Sequence, residues 1–205
     1  MDIQTAEKII ELNQQFYQTF SEDFSETRMR LQPGVQKVIQ NLEPNTRILD
    51  LGCGNGQLAR ELAHQDYRGS YLGTDFSPKL LKRAQEDLPE DFPASFRLLD
   101  LASPNWNEHL PAVQFDYIFA FATLHHIPSR RLHTQILTNI HFRLKPNARF
   151  IHSNWQFLNS ERLKKRIQPW VKVDIAKSEV DEGDYLLDWR RGGYGLRYVH
   201  HFSEE

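Results

Sequence analysis

Residues 46–56, TRILDLGCGNG, pass from a short apolar run through an acidic residue, Asp50, into glycines at positions 52, 54 and 56. Glycines at alternate positions let the backbone turn tightly and approach a ligand, and a helix that follows aims its unpaired N–H groups at an anion. That chemistry suits a nucleotide-like cofactor. A dinucleotide fingerprint starting at Gly52 would place another glycine at position 57, where the chain has Gln57. Acids also close the next two apolar runs, Asp75 in SYLGTD and Asp100 in SFRLLDL, while FDYIFAFATLHHIP (115–128) leads into the pair His125-His126. All four runs carry their polar residues at the C-terminal end, where open α/β sheets bind ligands. Adjacent histidines in an extended segment point opposite ways, and no carboxylate or cysteine stands at ligand spacing beside them, so no metal site is expected.

The elements that must position these residues follow from the pattern. Strands at 46–51, 70–75, 95–100, 115–121 and 148–155 alternate with helices at 56–65, 78–87 and 129–144, with Ser77-Pro78 as cap and first turn of the second helix. The alternation predicts right-handed βαβ units, hence a doubly wound, mostly parallel α/β sheet with helices on both faces. Apolar residues at helical spacing predict an amphipathic helix over 3–20, and VQKVIQNL (35–42) a second one. Residues 173–196 lack periodicity and read as a loop or lid. LRYVHHF (196–202) reads as one more strand, followed by Ser203-Glu204-Glu205, a helix start with no helix behind it.

At 205 residues the chain is expected to be a single domain, with a helical cap (1–43), a cofactor-binding core (44–157) and a substrate-side lid with a terminal strand (158–205). One cysteine, Cys53, precludes an internal disulfide framework and reads as a small residue filling a tight turn. MDIQTAEKII has no signal-peptide pattern and no apolar run approaches ~20 residues, so a soluble, cytoplasmic protein with no membrane partner is expected. A net charge of −2 argues against a surface coated in basic residues, although ERLKKRIQPWVK (161–172) and RRGGYGLR (190–197) gather local positive charge.

The order acid, glycine loop, helix, strand-end acid resembles motifs I and II of the class I S-adenosylmethionine-dependent methyltransferases, over residues 40 to 157. The resemblance implies a Rossmann-like fold that normally finishes with an antiparallel strand pair. Only one member of that pair is evident here, so the chain reads as a shortened form of a longer protein. It also implies S-adenosylmethionine as cofactor, with site residues to match. The loop Gly52-Cys53-Gly54 and Gly56 would face the amino acid head, and Asp50 its amino group. Asp75 would accept both ribose hydroxyls and Phe76 would lie against the adenine. Asp100 and the N–H of Leu101 would read the adenine edge, and Ala120 and Phe121 would line the head group and transfer channel. A histidine, His125, would stand near the transferred methyl.

Two segments outside the core point to the acceptor. Phe24-Ser25-Glu26-Thr27-Arg28, and GDYLLDW (183–189) followed by LRYVHHF, are similar to the Trm-nine-like tRNA wobble-uridine carboxymethyl methyltransferases. That resemblance implies tRNA as partner and a carboxylate as acceptor, which needs cationic or donor groups rather than a strong base. Arg28, Arg197 and His200 are the candidates for a converging clamp, with Tyr198 stacking on a base or packing. Two other functions fit the same core: a methyltransferase acting on a small carboxylate or phenol, and a non-catalytic S-adenosylmethionine-binding module that serves a partner subunit.

Overall fold

The structure is a computed structural model and describes residues 1–26 and 30–203. Helices α1 (Ile3–Glu26, kinked at Phe20) and α2 (Pro33–Ile39) precede a run of strands and helices: β1 (Arg47–Leu51), α3 (Gln57–His64), β2 (Ser70–Asp75), α4 (Pro78–Glu86), β3 (Ala94–Leu98), β4 (Phe115–Phe121), α5 (Arg130–Arg143) and β5 (Leu144–Ser153). Side-chain oxygens of Ser77 and Ser129 accept the Leu80 and Leu132 backbone N–H groups and so start α4 and α5.

The five strands form one parallel sheet in the order β3-β2-β1-β4-β5. Side chains of a strand alternate between faces, and the burial follows that rule. Ile48, Tyr71 and Phe119 pack with α2 and α3 through Ile39, Leu58 and Leu62. Leu49, Leu51, Ile118 and Ala120 pack on the other face with Ile136 and Ile140 of α5. The chain winds outward from β1 to β3 and then returns to β4 on β1's other side. This reversal opens a crevice at the C-terminal ends of β1 and β4.

The C-terminal part differs from expectation. After a short helix, α6 (Glu161–Lys164), come β6 (Ile167–Gln168), β7 (Asp184–Trp189) and β8 (Gly195–His200), which form a separate antiparallel sheet in the order β6-β7-β8. The terminal strand therefore has its antiparallel partner, and that partner lies inside the segment read as a loop. DYLLDW hides its pattern because Leu186, Leu187, Asp188 and Trp189 are all buried, leaving no alternation to detect.

Helix α1 joins this small sheet to the large one. Buried Asn13 donates through Nδ2 to the carbonyls of His126 (3.0 Å) and Tyr198 (3.2 Å), and its Oδ1 accepts the Tyr198 N–H (2.8 Å). Asn13→Ala would strand the buried Tyr198 N–H, at a cost of about 1–3 kcal/mol. Urea denaturation should show this loss, and hydrogen exchange should show faster exchange in α1 and β8; an unchanged midpoint would mean that the helix is held by its apolar face alone.

Candidate functional site

The crevice at the ends of β1 and β4 contains two connected hollows, one on each side of the glycine loop. The first, about 120 Å³, is walled by Gly52, Gly54, Asp75, Phe76, Asp100 and Leu101, with α1 above it. The second, about 160 Å³, includes Asp50, Cys53, Gly54, Arg30, Phe121 and Ala122 in its walls.

The loop geometry is built from glycine. Gly52 and Gly54 both have positive φ (74° and 56°). A Cβ on Gly52 would overlap the side chain of Thr123, whereas a Cβ on Gly54 would meet nothing within 4 Å and would project into open space. One glycine lets β1 close against the segment after β4, and the other leaves room for a ligand against bare backbone.

Asp75 is organised by backbone donors. Its Oδ2 accepts the Gly54 N–H (3.0 Å) and its Oδ1 the Ser77 N–H (2.9 Å), which fixes the carboxyl group at the wall of the first hollow. Asp100 accepts the Ala102 N–H on Oδ1 (2.9 Å) and the side-chain amide of Gln14 on Oδ2 (2.9 Å). Asp50 accepts the Tyr71 hydroxyl (2.6 Å). No cation pairs with Asp50 or Asp75 among the described residues. Burial pushes the Asp50 carboxyl up to about 7, against the lowering effect of the Tyr71 bond and with the neighbouring Asp75 adding to the rise. Burial likewise raises Asp75 to about 6, opposed by its backbone hydrogen bonds.

The residue types fit S-adenosylmethionine. Two carboxyls, one on each side of the loop, match a cationic amino group and a ribose diol; the space over Gly54 matches close backbone approach; Asp100 beside Leu101 can accept from an adenine amino group. Of the expected cofactor residues, Asp50, Gly52, Cys53, Gly54, Asp75, Phe76, Asp100, Leu101 and Phe121 lie in the walls. Gly56 instead caps α3 and packs on Ala84, and Ala120 points into the α5-side core because its neighbour Phe121 takes the opposite face. The wall position belongs to Ala122, which the reading of β4 missed. Its φ of 52° is uncommon for a residue with a Cβ, and its N–H is held by Ser153.

The histidine pair is also reversed from expectation. His125 is fully buried, accepts the Trp155 N–H on Nδ1 (3.3 Å) and is absent from the cleft wall. His126 lines the cleft, with Nε2 at 2.7 Å from the Tyr17 hydroxyl of α1. Gln14, Tyr17 and Asn13 therefore join the site from a helix whose role sequence periodicity could give only as a cap.

Two members of the expected cationic clamp do not converge. Arg28 lies outside the described residues. Arg197 and His200 stand three positions apart on β8, so they face opposite sides of the strand. His200 bonds to buried Asp184 through Nδ1 (2.7 Å), as does the Tyr198 hydroxyl (2.7 Å), and both serve the packing of the small sheet. Arg197 is buried, with its guanidinium 5.0–5.4 Å from the rings of Phe16, Trp155 and Trp189. It has no carboxylate partner among the described residues, and its Nε is out of water without a hydrogen bond. No group of three metal-ligating side chains occurs among the described residues, and no described helix is long and apolar enough to cross a membrane.

Residues 49–150 match the family described as a methyltransferase domain. An uncharacterized methyltransferase of Schizosaccharomyces pombe is 29% identical over 175 residues, which cover 80% of this chain and 64% of that protein. The trans-aconitate 2-methyltransferase of Variovorax paradoxus is 33% identical over 102 residues, 50% of this chain and 36% of that protein. The chain thus spans between about a third and two thirds of the length of these curated relatives. The solved TehB-like SAM-dependent methyltransferase of Corynebacterium glutamicum superposes with a TM-score of 0.52 at 20% identity, over 89% of this chain and 98% of that one. That likeness carries the fold.

The raised carboxyls give a test. Between the unfolded value of 3.8 and the folded values of about 6 and 7, the folded chain holds protons that the unfolded chain has lost, so stability falls as pH rises through that window. A ligand ammonium beside Asp50 reverses the preference and expels the proton. Calorimetry of S-adenosylhomocysteine at about pH 6.5 in buffers of different ionisation enthalpy should show proton release that disappears near pH 8 and in Asp50→Asn. Buffer-independent heats at both pH values would remove Asp50 from the head-group site.

Proposed function

We propose that this chain, whose residues 49–150 match a methyltransferase-domain family, is a class I, S-adenosylmethionine-dependent enzyme that transfers a methyl group to a carboxylate oxygen and so forms a methyl ester. When bound, S-adenosylmethionine supplies an electrophilic methyl that a nucleophile takes in line, the bonding electrons leaving with the sulfur. A carboxylate is already a nucleophilic anion and loses no proton, so positioning and exclusion of water supply the rate. Asp50, Asp75, Asp100 and the loop from Gly52 to Gly54 hold the cofactor; α1, with Tyr17 and Gln14, closes the cleft above it.

The observation that carries the acceptor reading is Arg197. A buried guanidinium packed on three aromatic rings, with an unsatisfied Nε and no carboxylate partner among the described residues, lacks the anion that would compensate its desolvation. Arg197 lines no described hollow itself; its guanidinium lies 5.0 Å from the ring of Trp155, which walls a hollow beside the cofactor cleft. An acceptor carboxylate on Arg197 would supply the missing charge beside the methyl donor. His200 has no part in this arrangement.

The similarity at 24–28 and 183–202 favours the carboxymethyl group of a tRNA wobble uridine as the acceptor. A small free carboxylate is the second reading, favoured by the 33% identity to a protein named for trans-aconitate. Incubation with carboxymethyl-uridine tRNA and with small di- and tricarboxylates, read by mass spectrometry of the ester, separates the two. Arg197→Ala should lower turnover by about 10- to 1000-fold, roughly 1.4–4 kcal/mol, with unchanged cofactor affinity. Asp75→Ala should instead weaken cofactor binding by at least ~1.5–3 kcal/mol. Cofactor binding with no ester on any carboxylate would favour the non-catalytic module, acting through a partner subunit.

A further inference from the structure

Four residues of α1 wall the first hollow, Ile10, Asn13, Gln14 and Tyr17, and their spacing puts them on one face of the helix. Two of them anchor it. Asn13 bonds the His126 carbonyl and the Tyr198 backbone, and the Tyr17 hydroxyl stands 2.7 Å from His126 Nε2, so the helical turn between them is fixed. Gln14 lies in that turn and reaches Asp100 instead, donating through Nε2 to Oδ2 (2.9 Å). A carboxylate oxygen accepts and an amide oxygen never donates, so chemistry alone decides which end of the Gln14 amide faces Asp100. The remaining end, Oε1, accepts nothing among the described residues. It is not one of the unpartnered atoms sealed inside the protein, so it stays within reach of solvent and ligand.

Asp100 holds its place without this amide, because its Oδ1 already accepts the Ala102 N–H (2.9 Å). The Gln14 contact has another effect. It sets a neutral acceptor, Oε1, beside an anionic one, Oδ2, on the rim shared by the first hollow and an outer opening of about 390 Å³. Two such acceptors complement a group that carries two divergent N–H bonds on one atom. A primary amino group on an aromatic ring is such a group, whereas a ring carbonyl would turn its own lone pairs against both oxygens. Phe76, which also walls both spaces, supplies an aromatic surface for the ring that bears the amino group.

We propose that Gln14 reads the adenine of the cofactor: one hydrogen of the exocyclic amino group goes to Asp100 and the other to Gln14 Oε1, while the Gln14 N–H keeps its bond to Asp100. The assignment rests on the placement of the adenine beside Asp100 in the reading above and is independent of which acceptor is methylated. It makes the roof helix a determinant of the base that binds, in addition to a cover over it.

The test uses the full chain with S-adenosylhomocysteine whose amino nitrogen is isotopically labelled, observed by isotope-edited NMR. Both amino hydrogens should be held in the complex, giving two separate downfield resonances that exchange slowly with water. Gln14→Met keeps the length of the side chain and removes its hydrogen-bonding atoms. In that variant one of the two resonances should move back toward its free position while the other stays, and affinity for S-adenosylhomocysteine should fall about three- to tenfold. The preference for S-adenosylhomocysteine over S-inosylhomocysteine, which carries a carbonyl in place of the amino group, should shrink by a similar factor, and Gln14→Ala should reproduce both changes. A wild-type complex with only one amino hydrogen held, or Gln14 variants in which both resonances stay where they were, overturns the proposal and leaves Gln14 as a brace for Asp100. Asp100→Ala tests the placement separately. If it alters neither the amino resonances nor the affinity, the adenine does not lie beside Asp100 and the placement falls together with the proposal; if it releases one amino hydrogen while the Gln14 variants release none, the placement stands and only the role of Gln14 is lost.

Discussion

Two carboxyl groups, Asp50 and Asp75, end adjacent parallel strands inside the protein and have no cation beside them among the described residues. Burying such groups is unfavourable, and the protein offsets it with hydrogen bonds: a phenol on Asp50, backbone N–H groups on Asp75. Those bonds dictate much around them. The N–H groups for Asp75 come from Gly54 and Ser77, so the glycine loop must fold back over β2 and helix α4 must begin where it does. The loop in turn closes on Thr123, whose hydroxyl bonds the Leu51 carbonyl (3.0 Å), and this joins β1 to the segment carrying His126. The residual cost appears as raised pKa values, which a polycationic or hydroxyl-rich ligand would relieve.

The cap is built on the opposite principle. Asn13, Asp184 and Arg197 are buried polar groups, but the first two are fully engaged, Asn13 with the His126 carbonyl and the Tyr198 backbone and Asp184 with His200, Tyr198 and the Asp181 N–H. Arg197 instead packs on three rings, and its Nε, like the Oδ1 of buried Asp188, has no hydrogen bond among the described residues. The bond to Asp184 places His200 in the packing of the small sheet despite its position in a suggestive motif.

The core was legible because each of its determinants is local. Strand, glycine loop and strand-end acid lie within a few residues of one another, and the parallel α/β winding makes Asp50, Asp75 and Asp100 neighbours without further information. What was not legible depended on parity or on distant contacts. Ala120 and Ala122 differ from Phe121 by one residue, and His125 from His126 by one; in an extended segment, one residue decides between core and cleft. Strand β7 was hidden because both of its faces are covered, and the reach of Gln14 and Tyr17 into the cleft is set by α1's docking on β8, which no periodicity reports. For Arg197 and His200, the alternation of a strand already forbade convergence, and that signal was present in LRYVHHF.

The attachment of α1 to β8 joins residues 185 positions apart. Loop-closure entropy makes such a contact one of the last to form, after the local βαβ units have collapsed. During synthesis, the strands that carry the three acids are complete well before β8 emerges, so the nascent chain holds an assembled but roofless crevice with the apolar face of α1 unoccupied. Folding of this protein therefore passes through an interval in which the strand ends that wall the cleft are in place and its roof, held by Asn13 on Tyr198, is not.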